Sequence, residues 1–390
     1  MSSFNKTLVA LAFVILGLSI SDGAALDSRR RKEPEPPYPY YEEDVVFPNT
    51  KAGIRLAGTL TLPLSKGPYP AVVLSSGSGP QDRNETVFGH KPFLVLADHL
   101  TRLGIAVLRV DDRGVGGSTG NFSEATSEDF ASDALAGVEY LKTRKDIAPG
   151  KIGLLGHCEG GLIAPLAAAQ SRDVAFVVMM AGPGLKGDQV NIGPGGFERE
   201  TGWISEQLIA ENRAAQERIF RIIKEEPDLN VAELRIRKEA QIFLKLATRI
   251  KAEAPDSERT SAELVAAAIE SQTRLFLSPW FRFYLTYDPR IALMKLKCPV
   301  LAVNGEKDTQ VPARENLEVI RQALASGGNK DYTVLMLPKL NHLFQTAETG
   351  AISEYEQIEE TISPVALDTV SDWILKHTSQ KPSRFMTAVQ

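Results

Sequence analysis

Lys151-Ile152-Gly153-Leu154-Leu155-Gly156-His157-Cys158-Glu159-Gly160-Gly161 is the stretch that decides how the rest of this chain is read. A short apolar run ends at Gly156-His157-Cys158-Glu159-Gly160, and Leu162, Ile163, Leu166 and Ala167 to Ala169 then set out a small-residue helix. Strand, one-residue elbow and helix in that order make a nucleophile elbow, with a thiol where a hydroxyl usually sits. A side chain presented this way occupies a sharp, strained turn, so the residues two places to either side must lack bulk. The turn lifts the side chain above the sheet edge at a helix N-terminus, where unpaired N–H groups and the dipole favour a thiolate or an oxyanion. With 30 glycines and 2 cysteines in 390 residues, random placement gives G-x-C-x-G roughly 0.01 times per chain. The competing reading is a buried structural cysteine beside a glycine-rich turn. The order of strand, turn and helix favours the elbow.

Outward from the elbow, strands and helices alternate. Val45–Pro48 and Ile54–Leu62 read as two antiparallel edge strands joined by Thr50-Lys51-Ala52-Gly53. Pro70-Ala71-Val72-Val73-Leu74 is continuously apolar, as a strand buried on both faces must be. Lys91–Leu103 reads as a helix stopped by Gly104, Ile105–Val110 as the next strand, and Thr126 as the cap of a helix through Phe130, Ala134, Val138 and Leu141. Val174–Met180, Pro299–Val303 and Tyr332–Leu337 are further strands, and Ala366–His377 is a closing helix. Alternation of this kind predicts an α/β fold with a mainly parallel sheet covered on both faces. Between Leu185 and Arg290 the period changes. Leu208, Ala215, Ile219 and Ile222, then Ile236, Ala240, Phe243, Ala247 and Ile250, keep helical spacing without a buried-strand run. That segment, with Trp203, Trp280, Phe281, Phe283 and Tyr284, is expected to be a helical cap.

The amino terminus reads as a secretory signal over residues 1–23: Lys6, an apolar Leu8–Ile20, then small residues at Ser19-Ile20-Ser21 or Gly23-Ala24-Ala25. The apolar run is short for a membrane span. Residues 24–44, with Arg29-Arg30-Arg31-Lys32 and Pro34, Pro36, Pro37 and Pro39, read as a linker outside the fold. The expected layout is therefore a core at 45–184 and 291–380, a cap at 185–290 and a tail at 381–390, exported to the periplasm or beyond. Net charge is −5, which gives no reason to expect a nucleic-acid partner. Cys158 and Cys298 belong to opposite ends of their strands, too far apart for a bridge, and are expected to be free.

A thiol nucleophile needs a base, and the base an orienting carboxylate. On an elbow of this kind the partners follow in chain order, acid then histidine, each after a strand. Of 5 histidines, His90 and His99 precede the elbow, His157 points away from it and His377 lies in the last helix. His342, in Leu340-Asn341-His342, is in the right place, and Asp308, in Gly305-Glu306-Lys307-Asp308, is the expected acid with Glu306 as runner-up. The oxyanion donors are expected to be the Glu159 N–H and one from Gly77-Ser78. Arg113 is expected to pair with Asp111-Asp112 and lock the neighbouring loop, and the charge of Glu159 to oppose thiolate formation. No G-x-x-x-x-G-K phosphate cradle is present.

With these segments in view, the chain resembles the α/β-hydrolase superfamily over nearly all of Val45–Thr378. Gly156-His157-Cys158-Glu159-Gly160-Gly161, Asp112-Arg113-Gly114-Val115-Gly116, Gly305-Glu306-Lys307-Asp308 and Leu340-Asn341-His342 look like the corresponding parts of secreted bacterial esterase-like members. The resemblance implies hydrolysis of a small-molecule carboxylic ester with no cofactor or metal, under a cap that shapes the pocket. Two departures stand out. Those relatives carry serine where this chain has Cys158, as dienelactone hydrolases and bile-acid-CoA:amino-acid acyltransferases carry cysteine. Ser76-Gly77 replaces a frequent His-Gly. Cysteine suits lactones, thioesters, activated esters or acyl transfer, so an acyltransferase or thioesterase is the first rival and a catalytically silent protein the second.

Overall fold

The computed structural model describes residues 33–192, 206–239, 270–271 and 273–378. The signal segment, the tail at 381–390, Trp203 and the run from Ala240 to Ile250 lie outside the described residues. Strands β1 (Tyr41–Asn49), β2 (Ile54–Leu62), β3 (Tyr69–Ser75), β4 (Ala106–Val110), β5 (Ile147–His157), β6 (Val177–Met180), β7 (Val300–Gly305) and β8 (Tyr332–Leu337) form one sheet in the order β1-β2-β4-β3-β5-β6-β7-β8. The β1–β2 and β2–β4 pairs are antiparallel, and all pairs from β4 to β8 are parallel. This is the α/β-hydrolase fold.

Why the central strands are continuously apolar follows from the pleat, which sends successive side chains to opposite faces. Val72, Leu74, Val107 and Leu155 face one core, with Phe93, Leu96 and Leu100 of α1 (Pro92–Arg102) and Val370, Trp373 and Ile374 of α8 (Pro364–Thr378). Ala71, Val73, Leu108 and Leu154 face the other, under α2 (Ser127–Lys142), α3 (Gly160–Ala168) and α7 (Ala313–Ser326). Helix α2 starts where Thr126 predicted: the Asp129 carboxylate accepts its backbone N–H at 2.9 Å and its hydroxyl at 3.0 Å.

The start of the sheet corrects the sequence reading. β1 begins at Tyr41, inside the supposed linker, and Tyr41–Asp44 pair with Leu62–Thr59. The residues there look like linker because an edge strand shows a charged face to solvent. Glu42 and Glu43 are held by Arg109 and Arg144, each at 2.9 Å. Tyr40 is buried and stacks on Tyr38 with centroids 5.2 Å apart, so the end of the proline-rich stretch also packs on the fold.

Within 185–290 the described elements are helical: α4 (Gly187–Ile192), α5 (Glu206–Glu225), a helix over 229–239 and α6 (Pro279–Thr286). Ala215, Ile219, Ile222 and Ile236 are buried together with Phe276, Trp280 and Phe281, so the helical spacing marks a packed face. No helix among the described residues is long and apolar enough to cross a membrane.

The elbow's glycines are fixed by contact. A Cβ on Gly156 would stand 1.8 Å from the Gly160 carbonyl oxygen, and one on Gly160 would stand 1.9 Å from that of Ser75. Both obstacles are backbone and cannot swing aside. Gly160→Ala is therefore expected to cost about 4 kcal/mol or more, read as a lowered urea midpoint with an unchanged slope; a midpoint within error of the parent would refute the packing argument.

Candidate active site

Cys158 stands between β5 and α3 with φ +53°. Its N–H donates to the Met180 carbonyl at 2.9 Å, and its carbonyl accepts from Gly161 N–H at 2.9 Å. The left-handed backbone is strained for a residue with a Cβ, and these two bonds hold it there. The thiol and the ring of His342 are close enough to shift each other's titration. His342 follows β8, and its Nδ1 lies 2.8 Å from Asp308 Oδ2. Asp308 follows β7, and its Oδ1 accepts the N–H groups of Gln310 and Val311, each at 2.8 Å. Three loops at the carboxyl ends of three parallel strands thus bring Cys158, His342 and Asp308 together. Glu306 is elsewhere: its carboxylate accepts the Lys339 N–H at 3.0 Å.

Burial alone would push the Cys158 thiol up, but the His342 ring beside it brings it below its ordinary value. Burial disfavours charge on His342, yet Asp308 and Cys158 raise it well above the usual imidazole range. The two shifts favour a thiolate–imidazolium pair. Cys298, also free, is pushed up to about 11 by burial. Since the Cys158 shift is downward, its thiolate persists as pH falls below the ordinary thiol range and disappears only through the depressed value. Iodoacetamide is therefore expected to modify Cys158 at a half-maximal pH below about 8.5, and His342→Gln to move that midpoint upward. Rates followed by peptide mass spectrometry test this; a Cys158 midpoint at or above that of a free thiol would contradict it.

The oxyanion loop is close but differs in detail from expectation. A Cβ on Gly77 would lie 3.2 Å from that of Cys158, so this loop abuts the nucleophile. The Gly77 N–H is already spent on Glu85 Oε1, at 2.6 Å. Gly77 therefore donates nothing to a substrate. The N–H groups of Ser78 and Glu159 have no acceptor among the described residues.

The Glu159 carboxylate is buried. It accepts the Ser127 hydroxyl at 2.7 Å and Trp280 Nε1–H at 2.7 Å. Burial raises it above the usual carboxylate range. The carboxylate that opposes the Cys158 thiolate most is that of Glu85. Trp280 in turn stacks on Tyr284 (centroids 5.5 Å apart, 8° between planes), whose buried hydroxyl is raised by burial and then by Cys158. Helix α6 thereby reaches Glu159, the residue next to Cys158.

Arg113 does not pair with its neighbours. It reaches forward to Asp133 at 2.7 Å and Asp129 at 3.4 Å on α2. Asp111 binds Arg83 at 2.8 Å. Asp112 is half-buried and accepts the Gln81 N–H at 2.9 Å and the Ser76 hydroxyl at 2.8 Å, and desolvation lifts it well above the carboxylate range. Successive residues leaving a strand point in different directions, which is why this acidic pair and its following arginine find separate partners. Glu85, Ser127 and the Trp280 indole were not expected at the site. Among the described residues no group of three or more His, Cys, Asp or Glu could hold a metal ion.

The sequence matches the family described as X-Pro dipeptidyl-peptidase (S15 family) over residues 52–343. The chain belongs to that family. It is 28% identical over 322 residues to esterase EstD of Thermotoga maritima, an alignment covering 82% of this chain and 66% of EstD. It is 35% identical over 135 residues to uncharacterized proteins of Mycobacterium tuberculosis, covering 35% of this chain and 44% of theirs. The chain thus spans just under two-thirds of EstD and less than half of the mycobacterial relatives. Among solved structures, the α/β hydrolase GrgF of Penicillium sp. sh18 superposes with a TM-score of 0.52 at 17% identity, over 86% of this chain and 99% of that one. A Pyrococcus furiosus esterase does so with a TM-score of 0.51 at 16% identity, over 86% and 91%. At these identities the superpositions speak to the fold.

Proposed function

We propose that this protein hydrolyses carboxylic esters of small molecules through a thioester on Cys158. The Cys158 thiolate adds to the ester carbonyl carbon, and the oxyanion takes the N–H groups of Glu159 and Ser78. As the carbon–oxygen bond to the alkoxide breaks, the His342 imidazolium gives that oxygen its proton. Neutral His342 then removes a proton from water, which adds to the thioester and releases the acid and the thiol; Asp308 fixes the ring's tautomer and balances its charge throughout. The observation that carries this reading is the imidazole of His342 set between Cys158 and the Asp308 carboxylate, which it meets at 2.8 Å, and similarity to esterase EstD supports the ester class. The expected test result is turnover of p-nitrophenyl acyl esters that iodoacetamide abolishes in step with labelling of Cys158. Partition of the acyl group to an added amine or alcohol would instead identify an acyltransferase, and turnover of Ala-Pro-p-nitroanilide without ester turnover the dipeptidyl-peptidase activity in the family's name. Activity unchanged after full labelling would sink the proposal. The apolar Leu8–Ile20 stretch supports export, which the N-terminal mass of the native protein tests.

A further inference from the structure

His157 precedes the nucleophile and is buried beneath it, with ring centroids 5.0 Å from His342 and 6.3 Å from Phe344. Both of its nitrogens face acceptors. Nε2 lies 3.0 Å from the carbonyl oxygen of His342, a group that can only accept, so Nε2 carries a proton. Nδ1 lies 2.9 Å from Glu85 Oε1, the same oxygen that takes the Gly77 N–H at 2.6 Å. The other carboxylate oxygen, Glu85 Oε2, is buried without a partner among the described residues, so the carboxylate is answered entirely through Oε1. Glu85 holds φ +53°, an unusual conformation for its residue type that aims this side chain inward.

We infer that Glu85 and His157 form a buried carboxylate–imidazolium pair that positions both loops of the site, the oxyanion loop through Gly77 and the base loop through the backbone of His342. A neutral ring would leave one of its two bonds without a proton. The charged groups facing His157 are Glu85, His342 and Cys158, and the net effect of these neighbours outweighs burial and favours its protonated form. Its positive charge also lies on the stabilising side for the Cys158 thiolate, and that of Glu85 on the opposing side. His157 and Glu85 are thus positioning residues, and the pair carries no net charge while both members are charged. The inference rests on the reading of Cys158 as nucleophile, but its tests need no substrate.

The first test uses the unaltered protein. With ¹⁵N-labelled histidine, and His157→Gln to assign the signal, Nε2 of His157 is expected to stay protonated and Nδ1 to lose its proton only above the ordinary imidazole range; an unprotonated Nδ1 at neutral pH would overturn the inference. The second measures the pH midpoint of Cys158 alkylation. His157→Gln leaves the Glu85 charge uncompensated and is expected to raise the midpoint by about one unit. Adding Glu85→Gln is expected to return it toward the parent value. A purely structural role for His157 predicts a double variant at least as perturbed as the single one, and that outcome, or an unmoved midpoint in His157→Gln, would also overturn it. Absence of ester turnover with both results intact would count against the proposed activity alone.

Discussion

Replacing Cys158 with alanine is expected to lower kcat toward p-nitrophenyl esters by about 10⁶-fold, the scale of loss when the nucleophile of such a constellation is removed. The magnitude is large because the remaining groups cannot substitute. His342 keeps Asp308 at 2.8 Å but has no thiol to deprotonate, and the Ser78 and Glu159 N–H groups stabilise an oxyanion that forms only by direct attack of water. Removing Sγ also takes away the anion that helps hold His342 protonated, so the His342 titration measured by NMR is expected to move downward. KM is expected to change little, since the thiol contributes to bond making more than to binding. A Cys158→Ala protein with a substantial fraction of parent activity would remove the covalent mechanism altogether.

Asp308→Asn is expected to cost about 10⁴-fold in kcat with the fold intact. Its direction is set by the surroundings of the carboxylate. Oδ1 accepts two backbone N–H groups, from Gln310 and Val311. An asparagine must keep its carbonyl oxygen there, which turns its NH₂ toward His342 Nδ1. That nitrogen must then accept, the ring proton moves to Nε2, and the base faces the thiol with a proton already in place. The downward shift of the Cys158 thiol depends on charged His342, so its alkylation midpoint rises in the same variant. Steady-state kinetics and alkylation profiles measured together check the argument; a loss confined to KM would refute it.

The parts of the site that could be read from the residues are those imposed by backbone geometry. Gly156 and Gly160 are demanded by contacts under 2 Å to carbonyl oxygens, so the elbow writes itself into the sequence as spacing. Asp308 and His342 were found because strand ends in a parallel sheet share one edge, and an apolar run marks each strand. What escaped notice depends on contacts that leave no period. Glu159 meets Ser127 from 32 residues away and Trp280 from 121. Glu85 is one acid in the polar stretch Gln81-Asp82-Arg83-Asn84-Glu85, and only its left-handed backbone turns it inward. Arg113 was misassigned because the eye pairs it with adjacent acids, while its guanidinium reaches a helix 16 to 20 residues onward. β1 was shortened for a related reason: half of an edge strand's residues belong to water.

The bond from the Trp280 indole to Glu159 has a mechanical consequence. Glu159 is covalently next to Cys158, so α6 and the proposed nucleophile are fastened through a single side chain. Raising α6 to admit a bulky guest would strip one of the donors from a carboxylate sealed away from water, a loss of about 1–3 kcal/mol. On the proposed mechanism, entry of a large guest would therefore disturb the peptide N–H next to the thiol, whereas a small one would leave it in place.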